Sequence, residues 1–334
     1  MPAGLMLRSR MLLNFLAPGQ VLTLNRNGLA RTGLAVGTVV ARAVEPGPGT
    51  FAGISVNLDG DAPQDKTPPC DINTDPLCAG PGWNSYSVEV VQRVGYDSFT
   101  PDNGVLLAKN KMKPDKGCGY GCFTWVIDAH PEDIKMVDFE RADGTTVMRT
   151  VADYRQLNDA LFHAGSNSGS LYEWEDAANR LHFYVVDVHR DGAGVLSYTL
   201  GVRSLDGAGP HTRGVALKPR QATTGGAPNI VTFVLTNTGT AAATDTAAHP
   251  SDASAAVGYD IYRMNVTIEG KGWTASLPNA LAAVKFGASV PFPVSFARAA
   301  GGAQSARMTL KAVSESDPTK TATAVWVLRA PVGS

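Results

Sequence analysis

No run in this sequence of 334 residues approaches the roughly 20 apolar residues of a membrane-spanning helix. Charge is sparse, with 18% charged residues and a formal net charge of −1, which argues against nucleic acid or an anionic membrane surface as partner. Only six histidines are present: His130, His163, His182, His189, His211 and His249. No two of them are separated by three residues, so the H-E-x-x-H pattern is absent. That pattern puts two zinc-binding imidazoles one helical turn apart, with a glutamate between them to deprotonate the metal-bound water. Gly117-Cys118-Gly119-Tyr120-Gly121 lacks the lysine and following helix of a phosphate loop. There is no internal repeat.

Turn formers are plentiful. Gly 35 and Pro 21, with short apolar runs between them, suit a mainly β protein, and the length allows about two domains. The expectation is a β-sandwich-like first domain with one short helix over 1–207, a linker over 208–228, and an immunoglobulin-like β-sandwich over 229–331.

Near the start, Met11-Leu12-Leu13-Asn14-Phe15-Leu16-Ala17 is too short for a signal peptide, is interrupted by Asn14, and has no small-x-small cleavage site. It predicts a short amphipathic helix with Leu5, Leu12 and Leu16 on one face. Strands are expected over 33–44 and 51–58, followed by a loop rich in Asp, Pro and Cys over 59–82. In the next block Tyr86, Val88 and Val90 alternate with Ser87, Glu89 and Val91, the period of a strand with one wetter face. Pro101-Asp102-Asn103-Gly104 is a turn, since proline presets φ and Asn-Gly supplies positive φ. Val105-Leu106-Leu107 opens another strand. Further strands are expected at 123–127, 136–139, 181–188 and 195–202. A helix capped by Asp153 should carry Tyr154, Leu157 and Leu161 on one face and end at Gly165.

Residues 85–107, with the leucine-rich entry, Trp125-Val126-Ile127-Asp128-Ala129-His130 and patches of 153–206, resemble secreted bacterial zinc metallopeptidases of the immune inhibitor A type, closest to an actinobacterial-type branch. The matching elements are a tyrosine-x-valine-glutamate strand, a glycine-tyrosine-aspartate corner and a glycine-valine-leucine-leucine strand. In that family the segment follows the protease core. The resemblance implies a post-catalytic region of an extracellular enzyme, with zinc held only in a core that this sequence lacks. No catalytic residue can be carried over, because no position matches one. An incomplete gene start at Met1 would account for the missing core.

The four cysteines fall in two local pairs, Cys70 with Cys78 and Cys118 with Cys122. Two small disulfide-closed loops outside the cytosol are favoured. A four-cysteine zinc site is the rival, although the first pair is wider than the usual C-x2–4-C spacing. Asp59 and Asp61, followed by Asp65, Asp71 and Asp75, are candidate calcium ligands, because clustered oxygens on a loop suit that ion; a solvated acidic loop explains them as well. Asp187 and His189 share a strand face near His163 and form a candidate metal site for an unrecognised hydrolase. Gly165-Ser166-Asn167-Ser168-Gly169 falls short of a nucleophile elbow, having Asn167 at its centre. Glu173, Glu175 and Asp176 offer carboxylates for acid–base work, with a solvated face as the plainer explanation. Trp83, Tyr120, Trp125, Trp174 and Trp273 either stack sugars or pack cores.

Beyond the small, polar segment 205–228, Val231, Phe233 and Leu235 begin a series of about seven strands, the pattern of an immunoglobulin-like sandwich. Pro291 and Pro293 mark an edge strand, and 241–256 reads as a low-complexity loop. The resemblance therefore implies a non-catalytic accessory region that braces a protease core. An independent adhesion module for glycans or proteins is the alternative from another class.

Overall fold

The computed structural model describes residues 5–60, 64–100, 102–112, 123–149, 160–220, 229–243 and 245–330. Its first part runs α1 (Leu7–Leu12), β1 (Val21–Asn25), α2 (Arg26–Thr32), β2 (Leu34–Val40), β3 (Gly53–Asn57), β4 (Ser85–Val91) and β5 (Gly104–Asn110). It continues with β6 (Thr124–Val126), β7 (Val137–Glu140), β8 (Thr146–Met148), β9 (Glu173–Asp176), β10 (Leu181–Arg190) and β11 (Leu196–Ser204). One sheet has the order β1-β3-β4-β5-β6 and a second the order β2-β11-β10-β9. Among the described strands of these two sheets, β1 and β3 pair in parallel and the other ladders are antiparallel. Ile54, Tyr86, Val88 and Val90 from the first sheet join Phe183, Val185, Leu200 and Val202 from the second in one core. The β7–β8 hairpin stands as a separate two-stranded ribbon.

The second part comprises β12 (Val215–Pro219), β13 (Ile230–Asn237), β14 (Tyr259–Glu269), β15 (Trp273–Ser276), β16 (Leu281–Lys285), β17 (Ser289–Arg298), β18 (Ser305–Ser314) and β19 (Thr321–Arg329). Two four-stranded sheets, β12-β13-β17-β15 and β16-β14-β18-β19, share a core around Phe233, Tyr262, Phe292, Met308 and Leu310. The chain is thus mainly β, as its composition predicts.

Several local expectations change. Residues 208–228 were expected to be a linker, yet Val215–Pro219 pairs along β13 and completes its sheet. The prolines of β17 do not mark a sheet edge, because β17 lies between β13 and β15. Pairing with β15 covers only Ser295 to Arg298, so Pro291 and Pro293 fall where that side of the strand is open and their missing N–H groups cost nothing. The face of β4 read as wet is buried as well, with Ser87 at 3% and Glu89 at 1% exposure. In α1 the buried side chain is Leu7, whereas Leu5 and Leu12 face solvent. The helix expected from Asp153 lies mostly outside the described residues, while α2 was not anticipated.

Candidate functional site

Glu89 of β4 and Asp97 of the corner at Gly95–Asp97 are both buried, and two arginines hold them. Arg42 donates to both Asp97 carboxylate oxygens, at 2.7 and 2.8 Å, and to Glu89 at 3.3 Å. Arg10 of α1 donates to the other Glu89 oxygen at 3.1 Å and to the Arg42 carbonyl at 3.0 Å. Burial works against the Arg42 charge, but the Asp97 and Glu89 carboxylates outweigh it and raise its pKa. This four-residue strut fixes α1 across β4. On its outer side Tyr96, Leu5, Phe15 and Val44 line a cavity of about 820 Å³ whose wall includes Arg10, Arg42 and Asp97.

A second buried polar node anchors the 64–67 segment. Asn179, fully buried, donates to Asp65, Tyr86 and Asp176, and accepts from Arg26 and the Lys66 amide. Asp176 also receives the Tyr86 hydroxyl at 2.5 Å and the Lys109 ammonium at 2.9 Å. Burial raises the Asp176 pKa, but Lys109, Tyr86 and Asn179 overcome that and hold it below the ordinary carboxylate value. Burial and the Asp176 charge push the Tyr86 hydroxyl up.

The acidic loop is therefore engaged by the protein itself. Asp59 receives Arg26 Nε at 3.2 Å and the Asn27 amide at 3.1 Å. Asp71 and Asp75 close turns onto the amides of Asn73 and Leu77. Asp61 lies outside the described residues. No group of three or more His, Cys, Asp or Glu side chains able to hold a metal ion is found among the described residues. Cys70 and Cys78 form a disulfide; Cys118 and Cys122 lie outside the described residues.

The remaining candidates disperse. His163 Nε2 meets Asp102 at 3.1 Å and its Nδ1 meets Ser170 Oγ at 3.0 Å. That row superficially suggests a nucleophile, its base and an orienting acid. However, Ser170 Oγ also accepts the His163 backbone N–H and donates to the Leu171 carbonyl, which is the bonding of a loop brace. Asp187 pairs with the exposed His189 and accepts from Asn279 of the second module. Glu173 and Asp176 serve different networks. Trp83, Trp174 and Trp273 pack in or against the cores, and Trp125 packs against the first one.

Residues that the sequence reading passed over join the candidate Glu173 to build the junction between the modules. Arg263 of β14 binds Glu173 bidentately at 2.6 and 3.0 Å and Glu315 at 2.7 Å. His182 lies 3.2 Å from Glu173 and stacks on Tyr184, whose hydroxyl donates to Glu315. Burial favours the neutral Glu173, but His182 and Arg263 bring its pKa down to about 2. Beside these charges Leu34, Val36, Tyr184 and Val186 form one apolar cluster with Ile261 and Leu281 of the second module. The loop read as low complexity crosses the junction too. His249 Nδ1 accepts the Asn25 amide, its Nε2 bonds Thr32 Oγ1, and Ala253, Ala256 and Val257 enter the first core. The fit at α2 is close enough that any side chain on Gly28 would strike Ala248 and His249.

These features define a two-module β protein whose modules are locked through a common core and an ion-pair clamp. A family model described as a middle domain matches residues 12–205, and one described as a Peptidase M6-like domain matches residues 212–329. The chain belongs to the family of that middle domain, joined here to a Peptidase M6-like domain. It is 48% identical over 310 residues to a protein of Arthroderma benhamiae named "Putative secreted metallopeptidase". The match covers 91% of this chain and 44% of the relative, so the chain spans less than half of the relative's length. The kinship with metallopeptidases expected from the sequence holds at this level.

Proposed function

We propose that this chain is the non-catalytic accessory region of a secreted zinc metallopeptidase of the immune inhibitor A type, and that it braces the peptidase portion. The observation that carries this reading is the junction: a continuous apolar cluster with the Glu173–Arg263–Glu315 clamp makes two modules into one stiff support. The absent H-E-x-x-H pattern and the greater length of the relative agree with it. The order β12-β13-β17-β15 facing β16-β14-β18-β19 supports an immunoglobulin-like second module, beginning at β12, that adds spacing or binding surface. The Cys70–Cys78 disulfide suits an extracellular setting.

The purified chain should leave casein intact with or without added zinc. When co-expressed with the part of the Arthroderma benhamiae relative outside the match, it should co-purify with that part and raise its melting temperature. Chelator-sensitive cleavage by the chain alone, or no complex, would refute the proposal.

A further inference from the structure

An amphipathic helix normally docks by its apolar face. Helix α1 docks Leu7 in that way but turns its charged side inward as well. Its arginines turn inward, Arg10 to Glu89 and Arg8 to the Lys111 carbonyl at 2.8 Å and over the Phe123 ring. Leu7 is buried, but Leu12 turns outward: it is 58% exposed, and Phe15 just beyond the helix is 66% exposed. Across the cavity Tyr96 is 74% exposed, although its neighbour Asp97 is fully buried in the Arg42 grip. Leu5, Leu13 and Phe99 are also exposed large apolar side chains on these two segments. The corner and the helix are thus held rigidly from beneath by buried ion pairs while presenting apolar groups to solvent. An apolar rim of this kind around a concave surface is the signature of an interaction site.

The second module does not cover it. The junction is made by α2, β2, β10, β11 and β14, and none of the contacts described there involves Leu5, Leu12, Phe15 or Tyr96. A family model described as a middle domain covers this module and the Peptidase M6-like domain follows it; a neighbour on its other side belongs to the accessory reading proposed above. We infer that the α1–Tyr96 face is the seat of the second neighbour: an apolar segment of the peptidase portion, supplied by the length of the relative that lies outside the match. This rests on the accessory reading above and specifies the surface through which it acts.

The test measures binding between the full chain and the co-expressed part of the Arthroderma benhamiae relative outside the match. Wild type is compared with Leu12→Asp/Phe15→Asp, with Tyr96→Ser, and with Phe139→Ser on the exposed β7–β8 hairpin as control. All four positions are solvent-facing, and matching thermal melts will verify that the variants fold. Affinity should fall at least about ten-fold for the first two variants and less than about two-fold for the control, the scale expected of apolar anchors at an interface centre. Wild-type binding that both patch variants retain overturns the surface and leaves the accessory reading standing. No binding by wild type overturns both. A dimer of the chain alone that the patch variants dissolve assigns the face to a second copy and overturns the proposed occupant.

Discussion

Arg42 holds Asp97 through two parallel hydrogen bonds of 2.7 and 2.8 Å, in a site where neither side chain is more than 3% exposed. The pair converts a glycine-tyrosine-aspartate corner into a fixed mount. The aspartate is drawn under the sheet and the preceding tyrosine is left in solvent. Arg42 lies just beyond β2, Glu89 in β4 and Arg10 in α1, so the strut ties three separated segments together.

Removing one member strands a buried charge. Arg42→Met should lower unfolding free energy by about 3–5 kcal/mol, the usual cost of orphaning one partner of a buried pair. Asp97→Asn, which keeps the shape and loses the charge, should fall in the same direction. Urea denaturation monitored by tryptophan fluorescence measures both. A loss under about 1 kcal/mol for Arg42→Met would show that the strut is not buried as described.

Gly28 supplies a steric test of the junction. A Cβ there would collide with the Ala248 carbonyl oxygen and lie 2.6 Å from the His249 ring, and backbone cannot yield cheaply. Gly28→Ala should cost about 1–3 kcal/mol, the range of overpacked sites, and should expose the 245–257 loop to limited proteolysis. Gly192→Ala, in open space, should do neither.

The β strands were largely legible because alternation survives wherever one face meets a core. β2, β3, β10 and β11 fall close to their expected places. The failures share a cause, which is burial by a third layer or a partner that periodicity cannot see. Glu89 reads as a solvent position until Arg10 and Arg42 are brought over it from distant sequence. The alanine-rich stretch 241–256 reads as low complexity because small side chains carry no period, yet Ala253 and Ala256 fit the junction core. The orientation of α1 could not be read, since apolar spacing marks a face without saying which face is covered within this chain. For the site, the sequence identified the segment containing Glu89 and Asp97 through its family resemblance. It did not indicate that arginines from outside that segment complete it.

Acid should loosen the junction in two stages. At the junction, burial together with Arg31 lowers the His249 pKa against the opposing pull of Asp245; within the second module, burial with Arg213 lowers His211. Both rings accept a backbone amide at Nδ1, from Asn25 and Ala242 respectively, so the native state requires them neutral. A histidine whose folded pKa lies below the unfolded value of 6.5 contributes fully above that unfolded value and loses its contribution as pH falls from there through the folded pKa. Glu173, at about 2 in the fold against an ordinary 4.5, adds a second loss as pH drops from 4.5 towards 2. The urea midpoint should therefore decline as pH falls below about 6.5, and again below about pH 4.5. His249→Asn, whose side-chain oxygen can still accept the Asn25 amide, should flatten the first decline. Unchanged pH dependence in that variant would remove His249 from the account.

The strongest coupling between modules should come from Ile261 rather than from the charges around it. Ile261 is fully buried against Leu34, Val36, Tyr184 and Val186, and its Cδ1 lies over Gly201, where any added side chain would collide with it. Arg263 makes more bonds but stays 36% exposed, so water screens and partly replaces them. Ile261→Ala should cost about 2–4 kcal/mol through lost burial and an unfilled cavity, whereas Arg263→Ala should cost about 1 kcal/mol or less beyond its lost packing. Because both modules meet at this cluster, wild type should unfold in one calorimetric transition. The Ile261→Ala/Arg263→Ala double variant should resolve into two, as the modules melt at their own temperatures. A double variant that still melts as one unit would place the coupling in the 245–257 loop instead, and Gly28→Ala would then be the substitution that splits the transition.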